Sequence, residues 1–315
     1  TQADYYKMFA FLNNRDEAGA SVYTAGEQRQ IDEMRARIAA IENDLKQQMP
    51  DWADRMAEWE RQVQRPGTEW TVVRPRYDVS GGQKHYVLDD ASVPAAGYAQ
   101  TRLETHFVAP TDVRRISAVR LELMNDPSLP RGGPGRSVFG LGALTEFKMQ
   151  AAPADDPDKP MDVKVASATA DVNPAPADLA EIFDDRSDKK RVTGPIAFAI
   201  DGDDLTAWSM DIGGGRSNVP HQAVFVLEKP IELESGAILT FRLRQMHGGW
   251  NSNDNQNNSL GRFRFSVTSA DRAEADSVPA AVRRILEVPR DARTPEQTGI
   301  LFSHWRTTVP EWKEA

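Results

Sequence analysis

The sequence predicts a mainly β protein, an antiparallel β-sandwich with helices at both ends of the chain. The first observation is the period of the apolar residues, which is helical before about residue 66 and after about residue 270 but close to two in between. The second is that clusters of Gly, Pro, Asn and Asp divide the middle region into short segments. The third is a hydrophobic fraction of 40%, with seven Trp and twelve Phe, which suffices for a large core.

The composition argues against several classes of function. A net charge of −9 disfavours a nucleic-acid-binding surface, because phosphate recognition requires a basic face. The chain has no cysteine, which excludes disulfides, thiolate metal sites, cysteine nucleophiles and covalently attached haem. No apolar run approaches the roughly 18 residues of a membrane-spanning helix. We therefore expect no nucleic-acid partner, no haem in this chain and no transmembrane segment.

Residues 1–66 are predicted to be the end of an upstream domain followed by a long helical segment. The pattern over residues 1–14 indicates a short amphipathic helix, and Thr24 or Gly26 begins a longer one, which Pro50 breaks or kinks. Its apolar residues have the spacing of a heptad seam, which suits either packing within the chain or a self-associating coiled coil. They are Ile31, Met34, Ile38, Ile41 and Leu45.

The middle of the chain is predicted to hold two related β units, at 67–152 and 153–270. Residues 116–149 indicate a strand, a long loop with three prolines and three glycines, and a second strand. The pattern also allows one short helix over residues 177–183. The candidate strands lie at 70–75, 84–89, 101–108, 115–123 and 142–150, and then at 162–170, 195–201, 222–228, 237–246 and 261–269.

The two sets of strands resemble each other. Residues 106–124 can be laid on 224–246, and residues 141–149 on 260–267, at a shift of roughly 120 residues. This similarity favours a duplicated β unit, although any two pairs of amphipathic strands share the same alternation. Both two small sandwiches and one merged sandwich are compatible with it.

Residues 271–315 are predicted to return to helix. Val282 and Ile285 lie on one face of a first helix, and a second one begins with Thr294 as its cap, Pro295 in its first turn and Gln297 at the capping-box position. Helices at both ends of a β centre favour terminal helices that pack together, as in a module inserted between the flanking domains of a larger protein.

Two acidic turns are candidates for a calcium site. The stretch Asp201–Trp208, DGDDLTAW, places carboxylates around a Gly turn and can gather the oxygen ligands that calcium prefers. The alternative is an Asp-Gly turn formed for steric reasons alone. Asp89 and Ser92 belong to the weaker counterpart in the first unit. Glu146 is either a late carboxylate ligand or an exposed strand residue.

The loop from His247 to Ser259, HGGWNSNDNQNNS, is a candidate for carbohydrate binding. Sugars stack on aromatic rings and are held by planar polar groups, and this loop offers Trp250 and His247 together with Asn251 and other amides. Another candidate face consists of Trp208, Arg216 and His221. The alternative is a solvated loop whose Trp covers the end of a sheet.

Catalysis has little support in the sequence. The five His residues are scattered, and neither an HExxH motif, a GxSxG elbow nor a phosphate-binding loop is present. No two carboxylates stand out as a glycosidase pair. We therefore expect no enzymatic activity in this chain.

Several motifs resemble large exported proteins of planctomycetes and related bacteria, which carry a cytochrome-c-like domain and two domains of unknown function around a β-rich middle. TQADYYKMFAFLNN resembles their recurring DYY..FAFFNN motif, and RLELMNDPSLPRGGPGR followed by LTEF resembles their RLE.L.D.SLP..GPGR…NFVLTEF segment. AIDGDDLTAW and VPAAVRRILEVPRDARTPEQ resemble later passages. This resemblance implies a periplasmic, extracellular or cell-surface location. The family's CxxCH haem motif is absent here.

DGDDLTAW and LTEF are also similar to parts of galactose-binding-like sandwiches, which include carbohydrate-binding modules with a jelly-roll fold. In those proteins the acidic turn and a late Glu bind a structural calcium near one rim. That resemblance implies Asp201, Asp203 and Thr206, or Asp89, Ser92 and Glu146, as the calcium ligands.

The combined expectation is a non-catalytic carbohydrate-binding module of a larger exported protein, stabilised by calcium, with a glycan as its partner. The competing hypothesis is a structural module that joins neighbouring domains and binds no glycan. A remote third hypothesis is a polysaccharide-active enzyme.

Overall fold

The structure is a computed structural model, and the part of the chain that it describes forms two compact units. The smaller unit combines residues up to Arg55 with those from Arg306 onwards, and the larger unit runs from Met56 to Trp305. The helix predicted over residues 1–14 and the predicted ligand residue Arg216 lie outside the described residues. The described residues are 23–64, 68–77, 83–213, 217–251 and 256–312.

The smaller unit is built on helix α1, Ala25–Gln48. The helix begins at the predicted Thr24 with a capping box, because the Glu27 N–H donates to the Thr24 hydroxyl at 3.3 Å while the Thr24 N–H donates to the Glu27 carboxylate at 2.7 Å. The end of the chain packs on the same helix, where the Arg306 guanidinium donates to the Glu42 carboxylate at 2.8 Å. The terminal segments of this unit are thus in contact, as predicted.

The heptad seam of α1 is buried only at its C-terminal end. Leu45 is 4% exposed, whereas Met34, Ile38 and Ile41 are 58%, 48% and 36% exposed. The prediction that the seam packs within the chain is confirmed for Leu45 and wrong for these three exposed residues, while Ile31 is half-buried. Self-association through the seam stays a prediction. The predicted break at Pro50 is confirmed, since helix α2 begins only at Trp52 and extends to Val63.

The larger unit contains sixteen strands among the described residues. They are β1 Thr71–Val73, β2 Arg76–Tyr77, β3 Gln83–His85, β4 Val93–Gly97, β5 Leu103–Thr111, β6 Arg115–Leu123, β7 Ala143–Leu144, β8 Glu146–Pro153, β9 Met161–Val163, β10 Val165–Ala170, β11 Ala177–Asp178, β12 Val192–Gly194, β13 Thr206–Ser209, β14 His221–Glu232, β15 Ala237–Gln245 and β16 Arg262–Thr268. Apart from the parallel pair of β12 and β13, the strands pair antiparallel. A mainly antiparallel β fold with helical flanks is therefore confirmed.

The strands form two main sheets and one small sheet. The larger sheet has the order β10-β14-β6-β16-β4-β3, with β1 also paired to β16, and the second has the order β2-β5-β15-β8-β9. The small sheet has the order β11-β12-β13-β7. One face of the larger sheet forms the main core, and on its other face Ala118 and Val224 pack with Ala273 in a second, small apolar cluster.

The two predicted β units interleave within single sheets. β6 of the first segment lies between β14 and β16 of the second, and β15 of the second lies between β5 and β8 of the first. This strand order produces one merged sandwich and not two separate ones. The duplication itself stays a prediction. The internal similarity aligns β5 with β14, and each of these strands is second from the edge of its sheet.

Phenylalanine rings join the two main sheets. Phe147 of β8 stacks on Phe225 of β14 with ring centroids 3.9 Å apart, and Phe241 of β15 stacks on Phe265 of β16 at 4.3 Å. All four rings are buried. Burying a side chain of this size contributes about 1.5–3 kcal/mol, so this layer supplies much of the stability of the sandwich.

Two local predictions were wrong. The strand predicted at 195–201 is a 3-10 helix, Ile196–Ile200, because Pro195 precedes it and the Asn173 side chain accepts the Ile196 N–H at 2.9 Å. The helix allowed over 177–183 is instead β11 followed by a single 3-10 turn, Glu181–Phe183.

The C-terminal helices α3, Ala280–Leu286, and α4, Pro295–Trp305, belong to the larger unit. The predicted capping box of α4 is confirmed, with the Gln297 N–H donating to the Thr294 hydroxyl at 3.2 Å and the Thr294 N–H donating to the Gln297 side chain at 3.0 Å. Among the described residues, no helix combines the length and the apolar character needed to cross a membrane.

Candidate functional site

The two tryptophans predicted to bind sugar lie in opposite environments. Trp208 of β13 is 0% exposed, and its indole N–H donates to the Val172 carbonyl at 3.1 Å. Trp250, which follows the end of β15, is 49% exposed. The prediction that Trp208 contributes a sugar-binding face is therefore wrong, because its ring belongs to the core. Of these two tryptophans, Trp250 is the one whose ring is accessible at the surface.

The predicted ligand residues His221 and His247 are also buried. The Thr145 hydroxyl donates to His247 Nδ1 at 3.0 Å, and His247 Nε2 donates to the Leu205 carbonyl at 3.2 Å. Burial lowers the pKa of His247 to about 4, so the ring is neutral at physiological pH. His221 Nδ1 lies 3.1 Å from an oxygen of Asp171. The prediction that these rings contact a ligand is wrong, because both are enclosed.

Trp250 is held at the surface by its backbone. The Trp250 N–H donates to the Asp184 carbonyl at 3.2 Å, and the neighbouring Asn251 N–H donates to the Gln256 side chain at 2.9 Å. Gly248 fixes the start of the loop, since its N–H donates to the Thr101 carbonyl at 3.0 Å and a Cβ at this position would lie 2.2 Å from the same oxygen. These hydrogen bonds fix the backbone on both sides of Trp250.

The ring of Trp250 is paired with Arg186, a residue that the sequence did not indicate. The Arg186 guanidinium carbon lies 3.6 Å from the centroid of the indole. Arg186 has a φ of +60°, a left-handed conformation that disfavours residues with a Cβ by about 1–2 kcal/mol. Its N–H donates to the Asp184 carboxylate at 3.0 Å. Asp184 thus holds both members of the stack, one through its side chain and one through its carbonyl.

A cavity of about 560 Å³ is lined by Asp184, the residue that holds this stack, although Arg186 and Trp250 are not themselves in the lining. Its lining is one continuous segment of chain, which includes Asp184 and ends at Arg191. Polar side chains dominate this lining, namely Asp178, Glu181, Asp184, Asp185, Lys189, Lys190 and Arg191. The cavity and residues 248–251 together form the candidate site, which we call the Trp250 rim.

Arg191 joins the two parts of the Trp250 rim. Its buried guanidinium donates to the carbonyls of Phe183, Met246 and Gly248 at 2.5, 3.0 and 2.7 Å. Phe183 lies in the lining of the cavity, while Met246 and Gly248 lead into the Trp250 loop. One side chain therefore connects segments that are about sixty residues apart, a contact that sequence spacing does not reveal.

Asp185 is the buried acidic partner within this network. Its carboxylate accepts from Ser187, pairs with Arg102 and lies 3.6 Å from the Arg191 guanidinium. Burial alone would raise the pKa of Asp185, but the Ser187 hydrogen bonds and the two arginines outweigh it and hold this pKa below its usual range. Asp185 is therefore an ionised carboxylate whose charge is balanced by Arg102 and Arg191, so it is not a candidate for contacting a ligand.

The predicted calcium ligands of the second unit organise a turn. The Asp201 carboxylate accepts the Asp203 N–H at 2.9 Å and the Thr206 hydroxyl at 2.7 Å, while the Asp203 carboxylate accepts the Leu205 N–H at 2.9 Å. Gly202 has a φ of +82°. These contacts are those of an Asp-Gly turn, the alternative that the sequence left open.

Glu146 belongs with this second turn and not with Asp89 and Ser92. Its carboxylate accepts the Gly202 N–H at 2.5 Å, and it is 3% exposed, so both its assignment to the first set and its description as an exposed strand residue are wrong. Burial raises the pKa of Glu146, and the charges of Asp201 and Asp204 raise it further. The hydrogen bond from Gly202 and the charge of Lys148 lower this pKa, but by less.

In the first predicted set of calcium ligands, an arginine side chain binds Ser92 and the neighbouring Asp90. The Arg262 guanidinium donates to the Ser92 hydroxyl at 2.9 Å and to the carboxylates of Asp90 and Asp126 at 2.9 and 3.3 Å, whereas Asp89 is exposed. Within the described ranges, no group of three His, Asp or Glu side chains is arranged to hold a metal ion. Calcium binding by either set stays a prediction.

The substitution Glu146→Gln is expected to stabilise the protein at neutral pH. A carboxyl whose pKa is raised by folding adds stability below its unfolded pKa, and this contribution is lost as the pH rises through its folded pKa. The amide oxygen of Gln can still accept the Gly202 N–H. Urea denaturation should therefore show a gain at pH 7 that disappears below the ordinary Glu pKa of about 4.3.

The matched control for this experiment is Glu234→Gln, which changes a carboxylate that is fully exposed at the surface. We expect no comparable pH-dependent gain there. An equal stability of wild type and Glu146→Gln at both pH values would contradict the raised pKa.

Comparison of the chain with protein-family models, with curated proteins and with solved structures found no match. The resemblance to exported planctomycete proteins therefore stays a prediction. A functional assignment must rest on the geometry of the Trp250 rim.

Proposed function

We propose that the chain is a non-catalytic carbohydrate-binding module of a larger exported protein and that the Trp250 rim is its binding site. The observation that carries the proposal is a half-exposed indole fixed beside a polar cavity of about 560 Å³. An exposed aromatic ring with a hydrophobic face and surrounding hydrogen-bonding groups suits a sugar, whose ring has both an apolar face and hydroxyls.

The size of the cavity and the hydrogen bonds of the Trp250 rim support this proposal. Small-molecule sites typically enclose roughly 300–1,000 Å³, and the cavity lies within that range. Asp184 anchors Trp250 and Arg186 through two separate hydrogen bonds, and Arg191 anchors the lining. A prearranged site of this kind loses little conformational entropy when a ligand binds.

A second candidate function is a structural module that joins neighbouring domains. The observation in its favour is that the larger unit brings its own terminal helices together. The Arg293 guanidinium donates to the Glu60 carboxylate of α2 at 2.7 Å, and the Gln64 side chain donates to the Leu286 carbonyl of α3 at 3.3 Å. Adjacent ends suit a module inserted into a longer chain, whether or not that module binds a glycan.

The substitution Trp250→Ala is expected to weaken glycan binding at least tenfold, because a central aromatic residue of a binding site contributes about 1.4 kcal/mol or more. A glycan array would identify the ligand, and isothermal titration calorimetry would measure the dissociation constant for wild type and variant. Both proteins should have the same melting temperature, since the indole is half-exposed.

Tyr86→Ala is the matched control. Tyr86 is a partly exposed aromatic residue after β3, at the edge of the larger sheet, and it is not part of the cavity lining. Its loss should leave the affinity unchanged. A wild-type protein that binds no glycan on the array would contradict the proposal and favour the structural module.

A further inference from the structure

The Arg186 guanidinium is placed as a binding group. Its central carbon lies over the Trp250 ring, 3.6 Å from the ring centroid, and its side chain is exposed. Within the part of the chain that the structure describes, its N–H groups make neither a hydrogen bond nor an ion pair. A guanidinium that stacks through its face keeps its donors in its own plane, so they remain available to a ligand.

The backbone of Arg186 adopts a left-handed conformation that non-glycine residues disfavour. Among the described residues other than glycine, only Ala91, Arg131 and Arg186 have a positive φ. At Arg186 the Asp184 carboxylate accepts the N–H and stabilises the turn. A strained residue persists when its surroundings over-determine it, and such residues concentrate at binding sites.

Arg186 is preceded by Asp184 and Asp185 and followed by a mostly basic run. The run Arg186–Arg191, RSDKKR, has four basic residues and one acidic residue. The ammonium groups of Lys189 and Lys190 form no ion pair within the described ranges, although both residues line the cavity. Asp185 is already neutralised by Arg102 and Arg191. Asp178, Glu181 and Asp184 are the other acidic residues of the lining, and the Asp184 carboxylate accepts the backbone N–H of Arg186.

We propose that the Trp250 rim binds an acidic polysaccharide and that Arg186 receives the carboxylate of a uronic acid residue. The planar fork of a guanidinium matches a carboxylate with two parallel hydrogen bonds, and stacking on Trp250 fixes the direction of that fork. Lys189 and Lys190 then attract the next carboxylates of the same chain. This inference rests on the proposed function and specifies its ligand class.

The experiment uses the whole chain and three pairs of ligands. Hexamers of galacturonate, mannuronate and glucuronate are each compared with their methyl esters, which keep the sugar backbone and lose the charge. Calorimetry at 50 mM and 200 mM salt measures the affinity. We expect at least one acid to bind tenfold or more tightly than its ester, and this preference to decrease with salt.

Three variants assign the preference to Arg186. Arg186→Gln should abolish the difference between acid and ester, and Arg186→Lys should restore only part of it, because an ammonium lacks the planar fork. Arg131→Gln is the matched control, since Arg131 also has a positive φ and lies over an aromatic ring, Phe139, at 5.3 Å. This control should retain the wild-type preference. Unchanged melting temperatures would show that all variants are folded.

The outcomes separate this inference from the proposed function. Equal binding of acids and esters, or of neutral glycans alone, would overturn the uronate inference while glycan binding stands. A preference for acids that survives in Arg186→Gln would overturn the role of Arg186. Failure of the wild type to bind any glycan would overturn both proposals.

Discussion

Replacing Trp208 with alanine is expected to lower the free energy of unfolding by about 3–5 kcal/mol, the usual range for removing a large buried aromatic side chain. The indole is fully buried in the core of the larger unit, and its N–H donates to the Val172 carbonyl at 3.1 Å. The substitution leaves a cavity in the core, and the partly buried Val172 carbonyl loses its donor. Urea denaturation followed by circular dichroism measures the change.

Trp250→Ala is the control for Trp208, because it removes the same side chain from a half-exposed position. We expect it to change the free energy of unfolding by less than about 1 kcal/mol. Equal losses in the two variants would contradict the assignment of one tryptophan to the core and the other to the surface.

Replacing Arg191 with methionine is expected to cost about 3–5 kcal/mol, the range for removing one partner of a buried charged network. The carbonyls of Phe183, Met246 and Gly248 lose their donor, and Asp185 loses a neighbouring cation. Because the same contacts join the cavity lining to the Trp250 loop, we also expect glycan binding to be lost. Denaturation and calorimetry on the same preparation test both effects.

Arg114→Met provides the comparison for Arg191. Arg114 pairs with Glu234 at 3.6 Å, and both side chains are largely exposed. Such surface pairs contribute roughly 0–1 kcal/mol, so the variant should resemble the wild type in stability. A loss at Arg191 no greater than at Arg114 would show that the three carbonyl contacts contribute little to stability.

The fold class follows from local patterns, and these are readable in the sequence. Alternation places Phe241 and Phe265 on the inner faces of their strands, and Thr294 with Gln297 marks the start of a helix. The order of the strands is not local. Leu121 pairs with Ala223, and no pattern within either segment specifies a partner about a hundred residues away.

The candidate site was only partly predictable, because burial depends on these remote pairings. Trp208 and Trp250 both stand next to polar residues in the sequence, yet Trp208 pairs with Leu144 inside the small sheet while Trp250 lies in a loop. Arg186 lies in a polar segment with no motif. Its role depends on a contact with a loop that begins some sixty residues later.

The interleaved order of the strands has a consequence for synthesis of the protein on the ribosome. β5 and β6 emerge early, but their central neighbours β15, β14 and β16 are translated only after most of the larger unit has been made. Until then the nascent chain carries apolar strands whose edges are unpaired, the state most exposed to misassociation with other chains. Completion of the sandwich, and with it formation of the Trp250 rim, therefore waits for the last strands.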